Sequence, residues 1–155
     1  MKTFSLYVIS SIAIGIGSLS CADDYDRKDF NYRSYKPNTS IGFYTNKTCD
    51  FINIDHVVSL KDAYDSGAYS WGASKKKAFA NDSSNHVPSC GRVNSSKGSA
   101  TPKDFLRRSS DGRGLEYDIV RFCEYVQKYY AVKVKYGLSL VSNDKKVFGR
   151  CGLSF

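Results

Sequence analysis

The sequence predicts a single α+β domain stapled by disulfides, and three observations carry that reading. A β-branched, partly alternating run follows Cys49, from Asp50 to Val58. A long stretch from Leu115 to Tyr136 places Ile119, Phe122, Val126, Tyr129, Tyr130 and Val134 at three- and four-residue steps. Beyond the leader, four cysteines remain: Cys49, Cys90, Cys123 and Cys151. A chain of 155 residues has room for one core and excludes a multidomain machine. With 25% charged residues, 12 Tyr and 9 Phe, it has enough apolar surface to offset the ordering entropy, which excludes wholesale disorder.

The first residues read as an export leader, 1–22. Lys2 supplies a short positive region, Phe4 to Ile16 is apolar apart from three serines, and Ser20-Cys21-Ala22 fits cleavage before Asp23. The apolar run is shorter than the ~20 residues of a membrane-spanning helix. The expected location is therefore periplasmic or secreted, with lipid attachment through Cys21 as the alternative. Removal or acylation of Cys21 leaves an even number of thiols, which in an exported chain argues for two disulfides. Four cysteines permit three connectivities, and nearness in sequence points to 49–90 with 123–151.

Residues 23–48 carry Tyr25, Phe30, Tyr32, Tyr35 and Tyr44 between Asn and Gly breaks and suggest an irregular wrapping segment without a helix. After the first strand, Leu60 to Asp65 and Lys75 to Ala80 read as short helices, the second opened by Ser74. Asn85 to Cys90 reads as a second strand, followed by a turn at Gly91 and a polar stretch to Ser99. Thr101-Pro102 starts another helix, with Thr as cap and Pro at the first helical position. Arg107 to Gly114 is a loop, Leu115 to Tyr136 a helix ended by Gly137, and 141–155 a tail pinned by Cys151.

A formal charge of +8 and a basic balance of 23 Lys+Arg against 15 Asp+Glu favour phosphate backbones or anionic surfaces as partners. Asp55-His56 at a strand end, Asn85 opening a second strand, Asn94 nine positions later and Lys97 three beyond form the pattern of HNH (ββα-metal) nucleases. The run Asn53-Ile54-Asp55-His56-Val57-Val58-Ser59-Leu60, continuing to Ser66-Gly67-Ala68, resembles the bacterial HNH branch related to the C-terminal domain of GmrSD restriction enzymes. So do Lys77 to Asp82, Asn94 to Gly98 with Thr101 to Phe105, and Tyr129 to Ser139, in that order. The resemblance spans roughly residues 49–140. It departs at Ser59, where Pro is usual, at Asn53, which replaces an Asp, and at His86, which replaces an aliphatic residue.

The resemblance implies a ββα-metal hairpin-plus-helix core and hydrolysis of phosphodiester bonds, leaving a 5′-phosphate and a 3′-hydroxyl. The chemistry suits the residues. A phosphodiester repels hydroxide and has a poor leaving group, so a base and a cation must act together. His56 is the expected general base, since an imidazole near its ordinary pKa is both neutral and basic. Asp55 and Asn94 offer the oxygens that one magnesium, or manganese, ion prefers. Asn85 is implied to hold the His-bearing loop, and Lys97 to meet a phosphate or the developing charge. Arg92, Lys77 and Lys103 join Lys97 as candidate nucleic-acid contacts. Because adjacent strand residues face opposite ways, Asp55 and His56 can share a site only if the strand ends at His56. His86 is expected to be structural, turned away from Asn85, and Trp71 a core anchor.

The sequence thus predicts an exported, monomeric endonuclease acting on DNA, or on RNA, with little sequence preference. The alternative reading is a periplasmic or surface DNA-binding protein without turnover, and a third is a structural or adhesive lipoprotein.

Overall fold

The computed structural model describes residues 24–155. The expected leader at 1–22, with Cys21, lies outside the described residues. Two antiparallel strands, β1 (Ile52–His56) and β2 (His86–Cys90), form the sheet, with Ile52 opposite Cys90 and His56 opposite His86. The connection between them carries α1 (Leu60–Asp65) and α2 (Ala73–Ala80). Helix α3 (Gly91–Lys97) starts directly after β2, which completes a strand–strand–helix unit. Helices α4 (Pro102–Arg108), α5 (Phe122–Tyr136) and α6 (Lys145–Arg150) follow.

Local chemistry explains most boundaries. The Ser59 hydroxyl accepts the Asp62 N–H at 3.0 Å and opens α1, while Thr101 caps α4 with Pro102 behind it. Gly137 ends α5 in the left-handed region, φ 66°, where a side chain would be strained. Among its described residues the wrapping segment has no α-helix, only a 3-10 turn at Arg27–Phe30 and an isolated bridge between Ile41 and Thr48. A two-stranded sheet is marginal alone. Here it is bolted by the Cys49–Cys90 disulfide, and Cys123–Cys151 ties α5 to the tail.

Several boundaries differ from the sequence reading. Gly91 to Lys97 is a helix, not a turn with a polar stretch, and it buries only Val93 and Lys97. Two inward positions are too few for a visible 3.6-residue period. Helix α5 begins at Phe122, because Leu115, Tyr117 and Ile119 are half-buried alternately with exposed Glu116, Asp118 and Val120, the two-residue rhythm of an extended chain. Helix α2 starts at Ala73 behind Gly72 rather than behind Ser74. Helix α4 runs on to Arg108, into the expected loop, and the tail holds α6.

The core is rich in aromatic rings. Tyr44 packs edge-on against Phe105 and Tyr125, at 4.9 and 5.3 Å between centroids, and so fastens the wrapping segment to α4 and α5. Trp71 sits at the rim, half-buried against Phe79 and Tyr136, rather than at the centre. Among the described residues two ion pairs are buried, Asp55–Lys97 and Asp62–Lys133. Among the described residues no helix is long and apolar enough to cross a membrane.

Candidate active site

Strand β1 ends at His56, and Asp55, His56 and Asn94 together line a cavity of about 270 Å³. The chain turns there because Asn85 holds it. Its side-chain oxygen accepts the Val58 N–H at 2.8 Å and its amide donates to the Val58 carbonyl at 3.0 Å, all fully buried. Asn85 thus mimics a strand partner for the residues just after His56 and satisfies their backbone.

The His56 ring is 4% exposed, with Nε2 2.8 Å from the Ala80 carbonyl oxygen at the end of α2. A carbonyl can only accept, so Nε2 carries the proton and Nδ1 of the neutral ring holds the free lone pair. Burial pushes the imidazole pKa down to about 3, the charges of His86, Arg27 and Lys97 adding to the fall and the Ala80 carbonyl opposing it. His86 donates to the same carbonyl at 3.0 Å, its other nitrogen lies 3.2 Å from the Tyr35 hydroxyl, and its ring stands perpendicular to His56 at 4.7 Å. Burial lowers its pKa as well. Tyr32 closes the other side of His56 at 4.6 Å.

Asp55 is clamped from two directions. The Tyr44 hydroxyl donates to Oδ2 at 2.5 Å, and the Lys97 ammonium lies 3.0 Å from Oδ2 and 3.3 Å from Oδ1. Lys97 also donates to the His56 carbonyl at 2.8 Å and has no exposed surface. Contact with a phosphate, expected from the sequence, does not fit that burial: the side chain enters the core one turn after Val93, and its charge is already matched by Asp55. The Asn94 amide donates to Asn53 at 3.1 Å, which leaves the Asn94 carbonyl oxygen to act as a ligand.

The exposed cations expected to bind nucleic acid lie elsewhere. Arg92 borders a neighbouring groove, Lys77 is on the outer side of α2, and Lys103 pairs with Asp144 at 2.9 Å. The cations that line the cavity are Arg27 and Lys61, the latter held by Asp65. Sequence reasoning missed Tyr44, the Ala80 carbonyl, Arg27 and the placement of His86. Only His86 left a signal: an antiparallel register placing Asp55 opposite Val87 also places His86 opposite His56.

Among the described residues no three His, Cys, Asp or Glu side chains converge on one point. The Asp55 carboxylate and the Asn94 carbonyl, hard oxygen donors that both line the cavity, are the groups that could hold a cation, with water and phosphate oxygens filling its sphere. Those donors suit magnesium or manganese chemistry.

The strand–strand–helix unit with its buried Asp-His pair defines a small, disulfide-stapled α+β domain of the HNH-like kind. The model for the family "GmrSD restriction endonucleases, C-terminal domain" matches residues 18–150, and the chain belongs to that family. A relative from the fungus Arthroderma benhamiae, described as an uncharacterized secreted protein, is 34% identical over 96 residues, covering 61% of this chain and 43% of its own length. The chain thus spans under half of that relative, and the relative's fungal origin takes the likeness beyond the bacterial branch expected. No solved structure matches.

Proposed function

We propose that the chain is an exported, metal-dependent endonuclease that hydrolyses phosphodiester bonds in DNA with little sequence preference. The observation that supports this reading is the shared cavity of Asp55, His56 and Asn94, with the His56 tautomer set by Ala80. In this mechanism His56 Nδ1 takes a proton from water as the water oxygen bonds to phosphorus. The bond from phosphorus to the 3′ oxygen breaks, and that oxygen takes its proton from solvent. Burial is the main cause of the low His56 pKa, and an incoming phosphate offsets the smaller part that comes from the charges of His86, Arg27 and Lys97. Asp55 and Asn94 would hold one divalent cation, magnesium or manganese, whose role when bound is to neutralise charge gathering on the phosphate and leaving oxygen. Asn85 and Lys97 act as positioning residues, the first on the loop after His56 and the second on Asp55 and the His56 carbonyl.

Export is supported by the leader, by two disulfides and by the secreted description of the fungal relative. Supercoiled plasmid incubated with the oxidised protein and magnesium or manganese tests the reading. Nicking that stops with chelator, and that falls about 10²–10⁴-fold in His56→Ala, is expected. A plasmid that is retarded but never nicked would establish the binding protein without turnover instead.

A further inference from the structure

A second groove, of about 930 Å³, runs beside α3 and is walled mainly by apolar surface, including Phe51, Val93, Leu115 and Tyr117. Phe51 is 68% exposed, yet its ring is not left loose. A Cβ added at Gly91 would meet the ring at 2.7 Å, so the phenyl rests directly on the bare Cα of that glycine. The Gly91 N–H donates to the Phe51 carbonyl at 2.9 Å, and the Cys49–Cys90 disulfide joins the chains on either side. One side of the ring is seated on the glycine while most of the residue stays exposed.

The groove adjoins the candidate active site. Asn53 lines the groove and accepts the hydrogen bond of Asn94, which lines the cavity of Asp55 and His56. Its charges are balanced: Lys47 and Arg92 border it, and so do Asp50 and Glu116. Such a wall has no preference for a phosphate chain but suits the flat face of a base. In a duplex those faces are hidden against neighbouring pairs. An unpaired nucleotide exposes them.

We propose that Phe51 is a stacking platform for an unpaired base of the substrate strand, close to the phosphate that is cut, so that the enzyme favours single-stranded or unpaired nucleic acid over paired duplex. This rests on the nuclease reading above and adds a strand preference to it. Gly91 then has a role of its own, since any side chain there lifts the ring from its seat.

The test compares cleavage of one labelled DNA oligonucleotide, alone and annealed to its complement, in the presence of magnesium. Wild type should cut the single strand faster. Phe51→Ala should lower the single-strand to duplex ratio of kcat/KM about tenfold, mostly through KM. Phe51→Trp should preserve the ratio, Gly91→Ala should reproduce the loss, and Tyr69→Ala, an exposed aromatic away from the groove, should leave the ratio alone. In a His56→Ala background, the fluorescence of Phe51→Trp should be quenched by the single strand, a signal independent of turnover. An unchanged ratio in Phe51→Ala overturns the inference while leaving the nuclease reading intact. So does a dimer that Phe51→Ala converts to monomer without altering the ratio, because the face would then cover a second copy. A wild-type protein that neither cuts nor binds DNA sinks the nuclease reading itself.

Discussion

Asp55 and its two donors decide how the site is held. Asp55 is 5% exposed, and the Tyr44 hydroxyl and the Lys97 ammonium take the place of the water its carboxylate has lost. Lys97→Met leaves that charge half-compensated and should cost about 3–5 kcal/mol in urea unfolding. A solvent-facing, phosphate-touching lysine would cost within about 0.5 kcal/mol, so the measurement separates the two roles. His56 supplies the pH dependence. Its pKa falls from 6.5 to about 3 on folding, so the unfolded chain binds the proton more tightly. The stability this neutral ring contributes is complete above about pH 6.5 and is lost as pH drops from there toward 3, with His86 acting in the same direction. Wild type should lose about 2 kcal/mol between pH 7 and pH 5 through His56, and His56→Gln should lose that much less, as read from paired urea midpoints.

At the scale of elements, what the sequence disclosed depended on how local each signal was. The start of α4 was legible because Thr101 caps it within three residues, whereas α1 was read at its full length without its Ser59 cap. The end of β1 at His56 followed from the need of Asp55 and His56 to face one cavity. Helix α3 was hidden by its polar surface, and the true start of α5 by an alternation inside what looked like a helical period. The same holds for the site: Asp55, His56, Asn85 and Asn94 sit in ordered motifs, whereas Tyr44 reaches Asp55 from a segment with no motif at all. Lys97 was legible as a residue but not in its direction, since burial is decided by α3 packing. The hairpin itself depends on Cys49–Cys90, which closes a separation of 41 residues around α1 and α2. Replacing both cysteines by serine should cost about 2–4 kcal/mol and broaden the unfolding of the sheet, measured by denaturant midpoints with amide exchange on β1 and β2.

Over the whole molecule, the nuclease reading requires charge outside the cavity to supply affinity for the substrate strand. The cavity holds few unpaired cations, since Lys97 is internal and Lys61 is tied to Asp65, so Arg27 is left as its main positive group. The formal charge of +8 must therefore act from outside the cavity. Arg107, Arg108 and Arg113 line a neighbouring concavity of about 340 Å³ that meets the Phe51 groove at Ser96 and Leu115. A strand that crosses both would exchange counterions for arginines at one end and stack a base at the other. Each phosphate neutralised contributes a slope of about −0.7 in log affinity against log salt on a single strand. About three such contacts predict roughly a 20-fold loss of affinity between 50 and 200 mM salt, read by anisotropy of a labelled oligonucleotide with His56→Ala protein. Arg113→Ala should flatten the slope by about one contact, because among the described residues Arg113 has no carboxylate partner, whereas Arg107 already shares Asp104 and Asp111. A slope that stays the same in Arg113→Ala would move the phosphate track to another face, and with it the path by which a strand reaches His56.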